Sequence, residues 1–156
     1  MSIAPTLHRH LAGQGVAYES MSHPPTGSSS FTAETAHIPG SQIAKGVVLR
    51  DDGGWLLAVL PASHHLRLAW VEQAMGRRLE LAGEQEASRL FPDCEIGAIP
   101  PLGDAYGQEV LVDEALIGVD PVLFEGGDHK TLVKISGADF ARLMAGARRA
   151  TISAHD

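Results

Sequence analysis

Apolar and polar positions along this chain switch between two periods, and the switches mark the elements. Leu7 and Leu11 lie four residues apart in an amphipathic stretch, Pro5 to Ala12, which Gly13 closes. Val16 to Met21 reads as a first strand. His23-Pro-Pro-Thr-Gly-Ser-Ser-Ser30 is turn and loop chemistry, and Thr32 is placed to cap a short helix through His37 that Pro39-Gly40 stops. Two β-rich runs, Gly46 to Arg50 and Trp55 to Leu60, flank Asp51-Asp-Gly-Gly54 and predict a hairpin. Leu68, Val71 and Met75 share one face of a helix over Arg67 to Met75, ended by Gly76. Glu84 to Phe91 reads as a second helix, with acids in its first turn and Pro92 beyond its end. Gln108 to Val112, Val122 to Glu125 and Thr131 to Ile135 are three further strands. Ser136-Gly-Ala-Asp139 resembles a capping box opening a last helix, Asp139 to Arg149. Strands and helices intermix without a regular strand–helix–strand series, which predicts an α+β fold with a mixed or antiparallel sheet.

Length and composition narrow this picture. At 156 residues the chain reads as one domain, 1–156, with ends at 1–4 and 150–156 expected to fray. An apolar fraction of 44% with no long polar tract excludes disorder, and one cysteine, Cys94, excludes an intramolecular disulfide. The longest apolar stretch, Trp55 to Ala62, falls far short of a bilayer span, and the start lacks a charged segment followed by an apolar one. The expected setting is therefore cytoplasmic, with no membrane partner. Twelve basic against nineteen acidic residues leave a net charge of −7. A protein that grips DNA or an extended RNA backbone usually carries a basic face, so the balance points to a small-molecule enzyme or a protein partner.

Motifs for phosphate loops, dinucleotides, zinc hydrolases and serine hydrolases are absent. The eight histidines invite a metal reading, but neither His8-x-His10 nor His64-His65 has helical ligand spacing with a carboxylate beside it. No metal site is assigned. Cys94 has no sequence sign of a partnering base and reads as a small hydrophobe.

Three places combine glycine, proline and a charge. Lys45 stands at the mouth of an apolar strand, where its ammonium either snorkels to water or finds an anion. Gly97-Ala-Ile-Pro-Pro101-Leu-Gly103 is a stiff loop. It either packs Ile99 and Leu102 as a rigid connection or presents backbone N–H groups to a carbonyl. Glu125-Gly-Gly-Asp-His129 reads as a hairpin turn, and its histidine is either structural or faces a cleft.

With these three motifs in this order, the sequence resembles the YbaK/prolyl-tRNA synthetase-associated domain family over about Val16 to Met144. The resemblance implies a compact, partly barrel-like mixed sheet surrounded by helices. It also implies a metal-independent hydrolase without cofactor, a trans-editing aminoacyl-tRNA deacylase that cleaves the ester of a small non-cognate amino acid. Its partner would be the tRNA acceptor end, with an aminoacyl-tRNA synthetase as a second partner. Lys45 would lie near the terminal nucleotide. Gly97, Ala98, Ile99 and Pro101 would border the ester, with N–H groups offered to its carbonyl. His129, with Gly127 and Asp128, would select the amino acid, and Thr26 and Ser28 would form one wall. Asp93, Cys94 and Glu95 fall close to the same pocket. An editor that holds only the last nucleotide needs few phosphate contacts. A shallow footprint of Lys45, Lys130, Lys134 and, on the last helix, Arg148 and Arg149 would suffice. The alternative from another class is a non-catalytic module that binds the acceptor end, or a small metabolite, without turnover.

Overall fold

The computed structural model describes residues 3–24 and 37–155. Thr26, Ser28 and most of the helix expected from Thr32 lie outside them. Helix α1 (Pro5–Gly13) leads to β1 (Glu19–Ser22), then to the hairpin β2 (Ile43–Asp51) and β3 (Gly54–Pro61). The chain continues through β4 (His64–Leu66), α2 (Leu68–Met75), β5 (Glu80–Leu81), α3 (Glu84–Ser88) and β6 (Val110–Asp113). It ends with β7 (Val122–Glu125), β8 (Thr131–Ile135), α4 (Gly137–Leu143), β9 (Arg148–Ala150) and β10 (Ser153–His155).

The fold is α+β, built on one mixed sheet in the order β1-β8-β7-β2-β3-β6-β9, with β5 also on β2. Alternation along each strand sorts the side chains onto two faces. Ala44, Val48, Leu57, Val59, Val110, Val112, Val122, Phe124 and Val133 face one way. There they meet Leu7 and Leu11 of α1, Ala87 of α3 and Phe140 of α4 in the main core. The opposite face is covered in two separate patches. Leu49, Leu56, Ala58 and Leu111 pack with Val71 of α2, and Ile43, Leu123 and Leu132 pack with Ala62.

Several boundaries differ from the sequence reading. Val16 belongs to the exit from α1, its N–H donating to the Leu11 carbonyl, so β1 starts three residues later than expected. Helix α3 tightens after Ser88 into three-residue turns, Leu90 N–H to Ala87 O and Phe91 N–H to Ser88 O. Pro92 disfavours helical geometry at Phe91. The last helix is shorter than expected: α4 ends at Leu143, and Arg148 and Arg149 lie on β9, paired in parallel with Leu111 and Val112. Described residues within the two ends take part in the fold. Ile3 and Ala4 are buried, and β10 pairs with β4. Asp113 is buried and holds this C-terminal segment, accepting from Ser153 Oγ and from the Ala115 N–H at 2.8 Å.

A methyl on Gly137 would fall on the Val119 carbonyl oxygen, whereas one on Gly146 would meet nothing within 4 Å. Gly137→Ala is expected to lower stability by about 1–3 kcal/mol, seen as a lower denaturant midpoint. Gly146→Ala is expected to stay within about 0.5 kcal/mol of the parent. Equal effects would contradict the packing described.

Candidate active site

The two strands that frame the site run parallel and then part. Ile43 pairs with Leu123 and Ala44 with Phe124, and there the β2–β7 ladder stops. β5 joins the same edge of β2 only at Leu49 and Arg50, with Ala82 N–H reaching Val48 O. Among the described residues, no strand pairs with this edge between Lys45 and Val47. One register step beyond the last pair stand Lys45 on β2 and Glu125 on β7.

The turn after β7 is held by that glutamate. Glu125 Oε1 accepts from the backbone N–H groups of Gly127 (3.0 Å), Asp128 (3.1 Å) and His129 (3.0 Å). Asp128 holds the far side, its Oδ1 accepting from the Lys130 and Thr131 N–H groups and its Oδ2 from Thr131 Oγ1. His129 is thereby fixed at φ 62, a left-handed backbone that glycine ordinarily occupies. Its Nε2 lies 2.7 Å from the Ile96 carbonyl oxygen. A carbonyl only accepts, so Nε2 carries the proton, and in the neutral ring Nδ1 keeps a lone pair.

The proline loop packs onto both strands. Gly97 abuts the imidazole: a Cβ there would sit 3.5 Å from His129 Cε1, on a backbone at φ +83. Ile99 lies over Gly46 of β2, its Cγ2 3.5 Å from where a Gly46 Cβ would stand. Ala98, Pro100, Pro101 and Leu102 are buried, so the loop is a rigid connection as well as a rim. Ala98 offers no free donor, because its N–H is spent on Glu95 O at 2.9 Å. Pro100 and Pro101 have none. Within Gly97 to Pro101, the unpartnered donors among the described residues are the N–H groups of Gly97 and Ile99.

Cys94 sits behind the turn, its sulfur 3.1 Å from a Cβ position on Gly127, and Glu95 N–H donates to Gly127 O. Burial, with smaller contributions from Asp93 and Glu125, raises the Cys94 thiol to about 11, outweighing its bond to Tyr106. The thiol therefore stays protonated at neutral pH and is a poor nucleophile. Its neighbour Asp93 would be raised by burial. Hydrogen bonds from the Thr6 N–H at 2.7 Å and the Tyr106 hydroxyl at 2.7 Å outweigh this and hold it low. Burial pushes the Tyr106 hydroxyl up.

Lys45 is adjacent to this cluster in the chain but projects from the other face of β2, with Ile43 and Val47. It stands between the two apolar patches there, opposite Leu60. Burial lowers its pKa, and it has no ion pair or hydrogen bond among the described residues. The gap where β2 and β7 part, with Lys45 on one strand and Glu125 on the other, is the opening taken as the candidate site. Of the expected site residues, Gly97, Ile99, Gly127, Asp128 and His129 gather at this opening, with Lys45 across the strand. Thr26 and Ser28 lie outside the described residues. The motif alone assigns Glu125 no role, although its spacing to the two glycines is that of a side chain capping its own turn. Lys134, part of the expected footprint, pairs with Glu19 at 3.7 Å. Among the described residues, no group of three or more His, Cys, Asp and Glu is placed to hold a metal ion.

Comparisons with known proteins bear on the fold and the family. The family model of the aminoacyl-tRNA editing domain matches residues 23–143, which include all three motifs. Among solved structures, the hypothetical protein APE2540 superposes with a TM-score of 0.83 at 21% identity, over 96% of this chain and 99% of that one. A candidate trans-editing enzyme for prolyl tRNA synthetase gives 0.81 at 24% identity, over 98% and 99%. A candidate signal transduction protein from Marinobacter aquaeolei VT8 gives 0.76 at 21% identity, over 95% of this chain and 30% of that one. No curated protein matches. The structural likenesses show a shared fold, and the family match shows that this chain belongs to the aminoacyl-tRNA editing domain family.

Proposed function

We propose that this protein hydrolyses the ester joining a small non-cognate amino acid to the terminal adenosine of a tRNA, without metal or cofactor. The observation that supports the reading is a fixed imidazole and two amides, unpartnered among the described residues, beside the parted edge of β2, with a half-buried ammonium, likewise unpartnered among the described residues, on the other face of that strand. An aminoacyl ester is already activated, so positioning water and receiving the oxyanion accounts for most of what a site must add. The Gly97 and Ile99 N–H groups receive the developing oxyanion. Lys45 meets a phosphate of the terminal nucleotide as a point charge. His129, locked by Glu125 and Ile96, limits the size of the amino acid. A ribose hydroxyl next to the ester orients the attacking water, so no protein nucleophile is required. The protonated Cys94 thiol fits that scheme.

Purified protein should release amino acid from one or more of tRNAs charged with Ala, Cys, Ser or Thr, at rates unaffected by chelator. Lys45→Ala should lower kcat/KM by roughly 10- to 100-fold, the scale of one hydrogen bond to a charged group. Saturable binding of the acceptor end with hydrolysis no faster than in buffer would instead select the non-catalytic module.

Lys45 also predicts a pH dependence. Burial lowers its pKa from 10.5, so its charge is lost at a lower pH than that of a free lysine. Affinity for adenosine 5′-monophosphate, measured by calorimetry from pH 7 upward, should fall before pH 10.5 is reached. Lys45→Arg should abolish that fall, because guanidinium stays charged. A profile flat to pH 10.5 in the parent would contradict the role given to Lys45.

A further inference from the structure

The opening holds a carboxylate that the reaction above leaves unused. Glu84, the first residue of α3, places Oε1 3.2 Å from the position a Cβ would take on Gly97. His129 Cε1 and Nε2 lie 3.5 and 3.7 Å from the same point. Carboxylate and imidazole therefore both border the point that a Gly97 side chain would fill, and glycine leaves that point unfilled. Glu86, two residues on, is already committed. It accepts from the Gly83 N–H at 2.9 Å and pairs with Arg50 at 3.5 Å. Glu84 has no hydrogen bond or ion pair among the described residues.

An aminoacyl ester differs from other nucleotide esters in one feature close to the reacting carbon. Its α-amino group lies two bonds from the carbonyl carbon and, with an ordinary pKa of about 7.7–8.0 for such groups, is largely cationic at neutral pH. A carbonyl received at the Gly97 N–H brings that ammonium to the immediate surroundings of Gly97. An anionic acceptor stands there. We propose that Glu84 binds the α-ammonium of the substrate, an assignment that rests on the editing reading and refines it. The opening then recognises a molecule with charges of opposite sign at its two ends, a phosphate at Lys45 and an ammonium at Glu84. It discriminates against esters of hydroxy acids and N-acylated amino acids, which lack the cation.

Two non-hydrolysable ligands separate the possibilities: adenosine 5′-monophosphate carrying 3′-alanylamino, and the same nucleotide carrying 3′-lactoylamino, where a hydroxyl replaces the ammonium. Calorimetry at pH 6.5 should show the parent protein preferring the alanyl ligand by ten- to a hundredfold. Glu84→Gln and Glu84→Ala should bind both ligands equally, at the parent's level for the lactoyl one. Variants that keep the preference, or that lose affinity for both ligands alike, would overturn the assignment. A parent that binds neither ligand would contradict the editing reading itself, and the role of Glu84 with it.

Discussion

The site depends on one oxygen atom. Glu125 Oε1 collects three consecutive backbone N–H groups and so closes the turn at the end of β7. A carboxylate in a concavity of successive N–H groups is a strong, directional arrangement, each bond being charge-assisted. It offsets the cost of a non-glycine residue at positive φ, and His129 is that residue. From there the constraint propagates outward. The imidazole reaches the Ile96 carbonyl, Gly97 closes against the ring, and Ile99 settles over Gly46 on the neighbouring strand. Glycine serves each step, at Gly97 and Gly127 by a positive φ of 83 and 117 and at Gly46 by a close neighbour. Gly127 faces the Cys94 sulfur and Ala4, Gly97 faces Glu84 and His129, and Gly46 faces Leu57 and Ile99.

The parted sheet supplies the other half of the arrangement. A strand pair that stops after two register steps leaves an edge that ordinary folds cover or charge. Here that edge lies among apolar residues, and the group standing on it is a lysine whose burial already disfavours its charged form. A bound anion would relieve that cost, and in the proposed reading phosphate binding would be coupled to the state of Lys45. The low-lying Asp93 and the protonated Cys94 sit behind the turn as a support tied to Thr6 of α1.

Much of this was legible in the sequence. The strands β7 and β8 and the end of α2 at Gly76 fall where periodicity and glycine placed them, because local pattern and tertiary pairing agree there. The C-terminal strands were not legible. Ala145-Gly-Ala-Arg148 reads locally as helix, and only the open edge of β6, far back in the chain, makes Arg148 and Arg149 a strand. β4 and β5 are three and two residues long, too short to show a period. The three motifs of the site were visible as glycine, proline and charge, but their individual duties were not. The loss of the Ala98 donor follows from a turn bond to Glu95, and the place of Glu84 beside Gly97 is a tertiary contact. Both depend on how the proline loop closes, which composition does not encode.

The net charge of −7 also takes a different meaning in three dimensions. Lys45 brings one positive charge to the opening where a phosphate would arrive, and no basic face is needed for a ligand held by its last nucleotide. In the proposed function, the opening between β2 and the turn after β7 receives an aminoacyl ester. A crystal structure with the 3′-alanylamino analogue of adenosine 5′-monophosphate tests it most directly. The acyl oxygen is expected within hydrogen-bond distance of the Gly97 and Ile99 N–H groups, and the phosphate beside Lys45. Density for the ligand elsewhere, such as the cavity of about 350 Å³ between Leu102 and Met144, would contradict it.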